Sequence, residues 1–112
     1  MYYKIKSRIW IESEEHVLLG EGRVRLLKAI DETGSLSKAA KNLNISYKKA
    51  WSLLDSINKS AKKPVTINSI GGKGGGGAEL TNYGKTLIDA FDNISKNCWE
   101  FLDKELEKIK DL

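Results

Sequence analysis

The chain has 112 residues, 40% of them hydrophobic and 30% charged, and a net charge of +4. That length suits one domain built on a single core, with no second ligand-binding domain, and no apolar run approaches the ~20 residues needed to cross a bilayer. A lone cysteine, Cys98, and a lone histidine, His16, exclude an internal disulfide and supply no zinc-ligand cluster, so neither a metal nor a cofactor is expected.

The N-terminus, MYYKIKSRIW, lacks the continuous apolar stretch of a signal peptide, and a cytoplasmic location is expected. Residues 3 to 12 alternate, with Tyr3, Ile5, Ser7, Ile9 and Ile11 on one side and Lys4, Lys6, Arg8, Trp10 and Glu12 on the other. This period of two predicts a half-buried strand. After a turn at SEEH, the patch Val17, Leu18 and Leu19 predicts a second short strand. Beyond the glycines of GEG, the residues Val24, Leu26, Leu27 and Ile30 recur at helical spacing, and Gly34 stands where a left-handed C-cap would end a helix.

Ser35 is placed to cap a second helix, SLSKAAKNL, because a serine oxygen accepts from the free amides of a first turn. Leu36, Ala39, Ala40 and Leu43 form its inner stripe, and the paired alanines let another helix approach closely. Ser46 offers the next N-cap, and YKKAWSLLDSINKSA sets Ala50, Leu53, Leu54 and Ile57 on one face and Lys48, Lys49, Ser52, Asp55 and Lys59 on the other. A supporting helix followed by two helices across a short turn is a helix-turn-helix, here at about 35–60.

Pro64 closes that region, VTINSI reads as a strand and AEL as its short return. Between them lies GGKGGGG, residues 71 to 77. A hairpin behind a recognition helix is a wing, at about 64–81, and a glycine-lined tip lets backbone amides approach phosphates, with Lys73 adding a cation. The competing readings are a flexible linker and a nucleotide-binding loop. The latter fails because GxxxxGK[ST] is absent: Gly74 follows Lys73.

Thr81 caps a final helix at about 82–112, with a stripe of Leu87, Ile88, Phe91, Ile94, Cys98, Phe101, Leu102, Leu106, Ile109 and Leu112. If continuous it is roughly 45 Å long at about 1.5 Å per residue. So small a core cannot cover that length, so the distal stripe is expected to meet another molecule. The expected fold class is therefore mainly α with small β, one winged helix-turn-helix domain plus a long C-terminal dimerisation helix.

Charge is unevenly spread. Six basic residues balance six acidic ones up to Gly34, eight lysines face only Asp55 from Ser35 to Lys73, and five lysines face eight acids thereafter. A basic middle third is the footprint expected of a polyanion-binding surface, against the plainer reading of a solvated lysine-rich face.

GSLSKAAKNLNISYKKAW, residues 34 to 51, with GGKGGGGAELTNYG, residues 71 to 84, resembles the N-terminal DNA-binding domain of the ModE-type molybdenum-responsive transcription regulators. The winged helix-turn-helix is also similar, more distantly, to that of LysR-type regulators. The resemblance implies a bacterial or archaeal repressor or activator that binds double-stranded DNA and dimerises through helices outside the helix-turn-helix. Full-length members add C-terminal molybdate-binding domains; this chain ends at Leu112, and molybdate binding is not expected of it.

The residues expected on DNA are Ser46, Tyr47, Lys48, Lys49 and Ser52 from the first two turns of the recognition helix, Ser35, Ser37 and Lys38 from the start of the preceding helix, and Lys73 from the wing. Lys41, Lys62 and Lys63 are further candidates for phosphate. Trp51 is expected to be a partly buried wedge behind the reading face. Dimerisation is expected of Phe91, Ile94, Cys98, Phe101, Leu102, Leu106 and Ile109. No catalytic triad can be assembled around one histidine, and Glu14, Glu15 and His16 read as a solvated turn, so the chain is not expected to be an enzyme. The expected function is a homodimeric, sequence-specific DNA-binding transcription regulator. The alternative is a protein-interaction module that pairs with a full-length regulator through the last helix.

Overall fold

The computed structural model describes residues 3–14, 16–69 and 77–111. Two strands open it, β1 (Trp10–Ser13) and β2 (His16–Gly20), antiparallel, with Ile11 opposite Leu19 and Glu12 opposite Val17. The step between those pairs is a bulge that leaves Leu18 extra on β2. The alternation expected over residues 3 to 12 therefore yields a ladder only from Trp10 onward. The reason is the partner: β2 is too short to pair with anything upstream. The phase of the alternation survives at Ile9 and Ile11, which pack on the core while Trp10 and Glu12 face outward.

Helix α1 (Glu21–Thr33) starts on Gly20, earlier than the glycines suggested, and takes Gly22 into its first turn. Burial of Val24, Leu26, Leu27 and Ile30 outweighs the roughly 0.5–1 kcal/mol that a glycine costs inside a helix. It ends as expected: Gly34 adopts φ 68°, and its amide donates to the Ile30 carbonyl at 2.7 Å.

Helices α2 (Leu36–Asn42) and α3 (Tyr47–Ser60) carry the serine caps expected of them. Ser35 Oγ accepts from the Lys38 amide at 3.2 Å, and Ser46 Oγ accepts from the Lys49 amide at 3.0 Å. Between them Asn44 takes φ 57°, a left-handed residue that turns the chain within four residues, and the Ile45 amide donates to the Ala40 carbonyl at 3.1 Å. Ala39, Ala40 and Ala50 are buried together with Leu26, Ala29 and Ile30 of α1. Small side chains at that junction bring the helices close and leave α3's other side outward.

Strands β3 (Thr66–Ser69) and β4 (Gly77–Leu80) form the second antiparallel hairpin, paired from Thr66–Leu80 to Ser69–Gly77. It is tied down at both ends. The Ala78 amide donates to the Gly34 carbonyl at 3.0 Å, and the Thr81 amide donates to the Val65 carbonyl at 3.0 Å. Val65 itself is fully buried beside Ile57, Leu80 and Ile88.

Helix α4 (Asn82–Glu107) begins with Thr81 Oγ1 accepting the Gly84 amide at 3.0 Å. Its 26 residues span about 39 Å at ~1.5 Å per residue. Only the first part is covered: Gly84, Ile88 and Phe91 are buried, and Lys28 of α1 pairs with Asp92 at 2.9 Å. Ser7 of the N-terminal segment still reaches Cys98, and beyond that α4 projects from the body. The longest dimension is 59 Å and the radius of gyration 16.9 Å, against roughly 13 Å for a compact chain of this size.

Candidate nucleic-acid interface

The outward side of α3 is built from its N-terminal two turns. Ala50 and Ile57 are buried and fix the helix's rotation, so Tyr47, Lys48, Lys49, Trp51 and Ser52 all face solvent. Trp51 corrects the expectation of a partly buried wedge: it is 54% exposed, with Tyr47 at 56%. It lies off the Ala50, Leu54 and Ile57 stripe, and the alanine-lined junction beneath α3 leaves no slot for an indole.

Ser46 is exposed with its hydroxyl oxygen already capping α3, and Ser35 is half-buried with its oxygen capping α2. Both retain a hydroxyl proton to donate. Ser37 and Lys38 are exposed on the first turn of α2. Lys73 lies outside the described residues.

Among the described residues Lys38, Lys41, Lys48 and Lys49 have no carboxylate within ion-pair distance, whereas Lys59 holds Asp55, the single acid of the basic segment, at 2.8 Å. Pairing Asp55 away removes the one local charge that would repel a polyanion. Lys63 stands 5.8 Å over the Tyr83 ring, which orients it at the base of the wing.

Two supporting residues escape a reading of the sequence. Asn58 Oδ1 accepts the Val65 amide at 2.7 Å while its Nδ2 donates to Thr66 Oγ1 at 3.1 Å, joining α3 to the first strand of the wing. Arg23 Nη1 donates to the Leu53 carbonyl at 3.4 Å, and partial burial lowers its pKa from the ordinary value without removing the charge. Nothing in the local pattern marks either one, because their partners are remote in sequence.

The distal stripe of α4 is open. Ile94 and Phe101 are 47% and 61% exposed, and Leu102 and Leu106 are half-buried; the helix expected to about 112 stops at Glu107, so Ile109, 49% exposed, lies in the turn beyond it. Phe91 departs from the dimer expectation: at 5% exposure it belongs to the protomer's own core with Leu19, Val24 and Leu27. Cys98 is half-buried, with Ser7 Oγ of the N-terminal segment 3.8 Å from Sγ.

No family model matches the chain. Individual relatives do. The Molybdenum transport protein ModE of Azotobacter vinelandii is 32% identical over 106 residues, covering 95% of this chain and 39% of that protein. The DNA-binding transcriptional dual regulator ModE of Escherichia coli K12 is 43% identical over 74 residues, 66% of this chain and 28% of its own length. The chain is a relative of the ModE-type regulators. A third relative, the Molybdenum-pterin-binding protein MopB of Rhodobacter capsulatus, is 46% identical over 76 residues, 68% of this chain and 28% of its length. The chain thus spans well under half of each of these proteins. In fold it is similar to ArgP from Mycobacterium tuberculosis, with a TM-score of 0.54 at 16% identity over 76% of this chain and 30% of that one. Among the described residues no helix is long and apolar enough to cross a membrane.

Proposed function

We propose that the chain is a sequence-specific double-stranded DNA-binding transcription regulator acting as a homodimer. The observation that carries this reading is the outward face of α3: two lysines without carboxylate partners among the described residues, two aromatic rings and a serine, on a helix whose N-terminal turns are exposed as entry into a major groove requires. The E. coli relative named as a DNA-binding regulator supports it. In this reading α3 reads base edges and α2 meets the backbone. The hairpin behind them carries Lys73 to the neighbouring phosphates or minor groove.

Ile94, Phe101, Leu102, Leu106 and Ile109 then meet their copies on a second protomer, since burying such side chains is worth roughly 1.5–3 kcal/mol each. Two recognition helices set by that contact require half-sites about 34–36 Å apart, or a multiple, on a roughly palindromic operator.

The same open stripe also favours a second reading, in which the chain pairs with a longer regulator through α4 and titrates it. Duplex binding by the purified chain separates the two. Affinity that falls linearly on a log–log plot against salt supports the regulator. No salt-dependent duplex binding would overturn it in favour of the titrating module.

A further inference from the structure

Trp51 is the largest side chain on the α3 front; it is more than half exposed, and among the described residues it belongs to neither core cluster. At about 100° of rotation per residue it falls between Tyr47 and Lys48 around the helix axis, one turn in from the end that leads into the groove. Its neighbours narrow the choice of what meets it. An apolar protein surface seated here would have to strip water from the ammonium groups of Lys48 and Lys49, which have no carboxylate in reach among the described residues. A duplex satisfies both demands together, with phosphates along the groove's edges and an apolar group on its floor.

We infer that Trp51 is a base-reading residue whose indole packs against the C5 methyl of a thymine in the major groove. This rests on the DNA-binding reading given above. An indole has one N–H donor and no acceptor, and the rest of its surface is apolar, so the thymine methyl is the base-edge feature it matches best. The preference it imposes is for a thymine at one position of each half-site. It differs in kind from the hydrogen-bonded discrimination available to Lys48 or Ser52.

The test uses the full chain and a duplex recovered by selecting random DNA on that chain. Each thymine is replaced singly by uracil, which deletes the methyl and leaves every hydrogen-bonding group in place. The wild type should lose about fourfold in affinity at one position per half-site, the worth of one buried carbon. Trp51→Ala should lose that response while keeping the helical circular dichroism and cooperative unfolding of the wild type, because among the described residues the side chain belongs to neither core cluster. If the alanine variant binds too weakly to scan, Trp51→Phe carries the test, with a reduced response at the same position and none newly created elsewhere.

Salt-dependent binding with no uracil response in the wild type overturns the Trp51 assignment alone. So does an identical response in wild type and variant. Failure of the wild type to bind any duplex in a salt-dependent way overturns the underlying reading as well.

Discussion

Asn58, in the last turn of α3, accepts the amide of fully buried Val65 at 2.7 Å and so ties α3 directly to the residue that leads into β3. Asn58→Ala leaves that amide without an acceptor, and an unsatisfied buried donor costs about 1–3 kcal/mol. The variant should lose that much in urea unfolding. Asn58→Asp, which keeps the acceptor for the Val65 amide and gives up only the Nδ2 donor to Thr66 Oγ1, should lose less. Equal stability of all three proteins would show that this link does not hold the wing.

Two glycines should respond to alanine with opposite signs. A Cβ on Gly84 would land on the Val65 carbonyl oxygen, backbone that cannot step aside, so α4 and the wing would have to separate. Overpacking of this kind costs about 1–3 kcal/mol. Gly22 lies in α1 with no atom within 4 Å of the added carbon. Gly22→Ala should therefore stabilise by about 0.5 kcal/mol through the unfolded chain's lost freedom. Thermal unfolding of the two variants measures both, and a destabilised Gly22→Ala would refute the account of α1.

The distal half of α4 and the turn after it predict a change of assembly without a change of fold. Phe101→Asp and Ile109→Lys alter side chains 61% and 49% exposed in the protomer, so neither should lower its helical content. Both put a charge on the surface assigned to the second copy, where an unpaired charge is strongly disfavoured once desolvated. Sedimentation should show dimers for the wild type and monomers for the variants. Monomeric wild type at concentrations where it binds duplex DNA would remove the stripe from the interface.

What the sequence made legible is what is local. The caps at Ser35, Ser46 and Thr81 and the left-handed stop at Gly34 each depend on residues within four positions, and all four are readable from the chain alone. So are the apolar stripes of α1 to α3, which follow the helical period. The extent of β1 is not, because it is set by the length of β2 rather than by its own alternation. Phe91 lies on the same stripe as Ile94, and only the placement of α1 against α4 decides that one is core and the other surface. Trp51 misleads for a related reason. Indoles are mostly covered, and pattern alone cannot show that the junction beneath α3 is filled by alanines.

Lys48 and Lys49 are adjacent, both exposed and without carboxylate partners among the described residues, yet they should fail differently. Around α3, at about 100° per residue, Lys48 falls between Trp51 and Ser52, in the middle of the outward arc, while Lys49 falls on its flank, which in the proposed docking lies beside the phosphates. Lys48→Ala should reorder the preference among duplexes that differ at one base pair, by about 1–3 kcal/mol at that pair. Lys49→Ala should weaken every duplex alike and reduce the slope of log affinity against log salt by about 0.9, the value for one phosphate no longer neutralised. Lys73→Ala should behave as Lys49→Ala does. Titrations of each variant against a panel of single-base-pair changes at several salt concentrations separate the two patterns. A uniform loss for Lys48→Ala would move that side chain from the base edges to the backbone, and an unchanged salt slope for Lys49→Ala would take Lys49 off the DNA altogether.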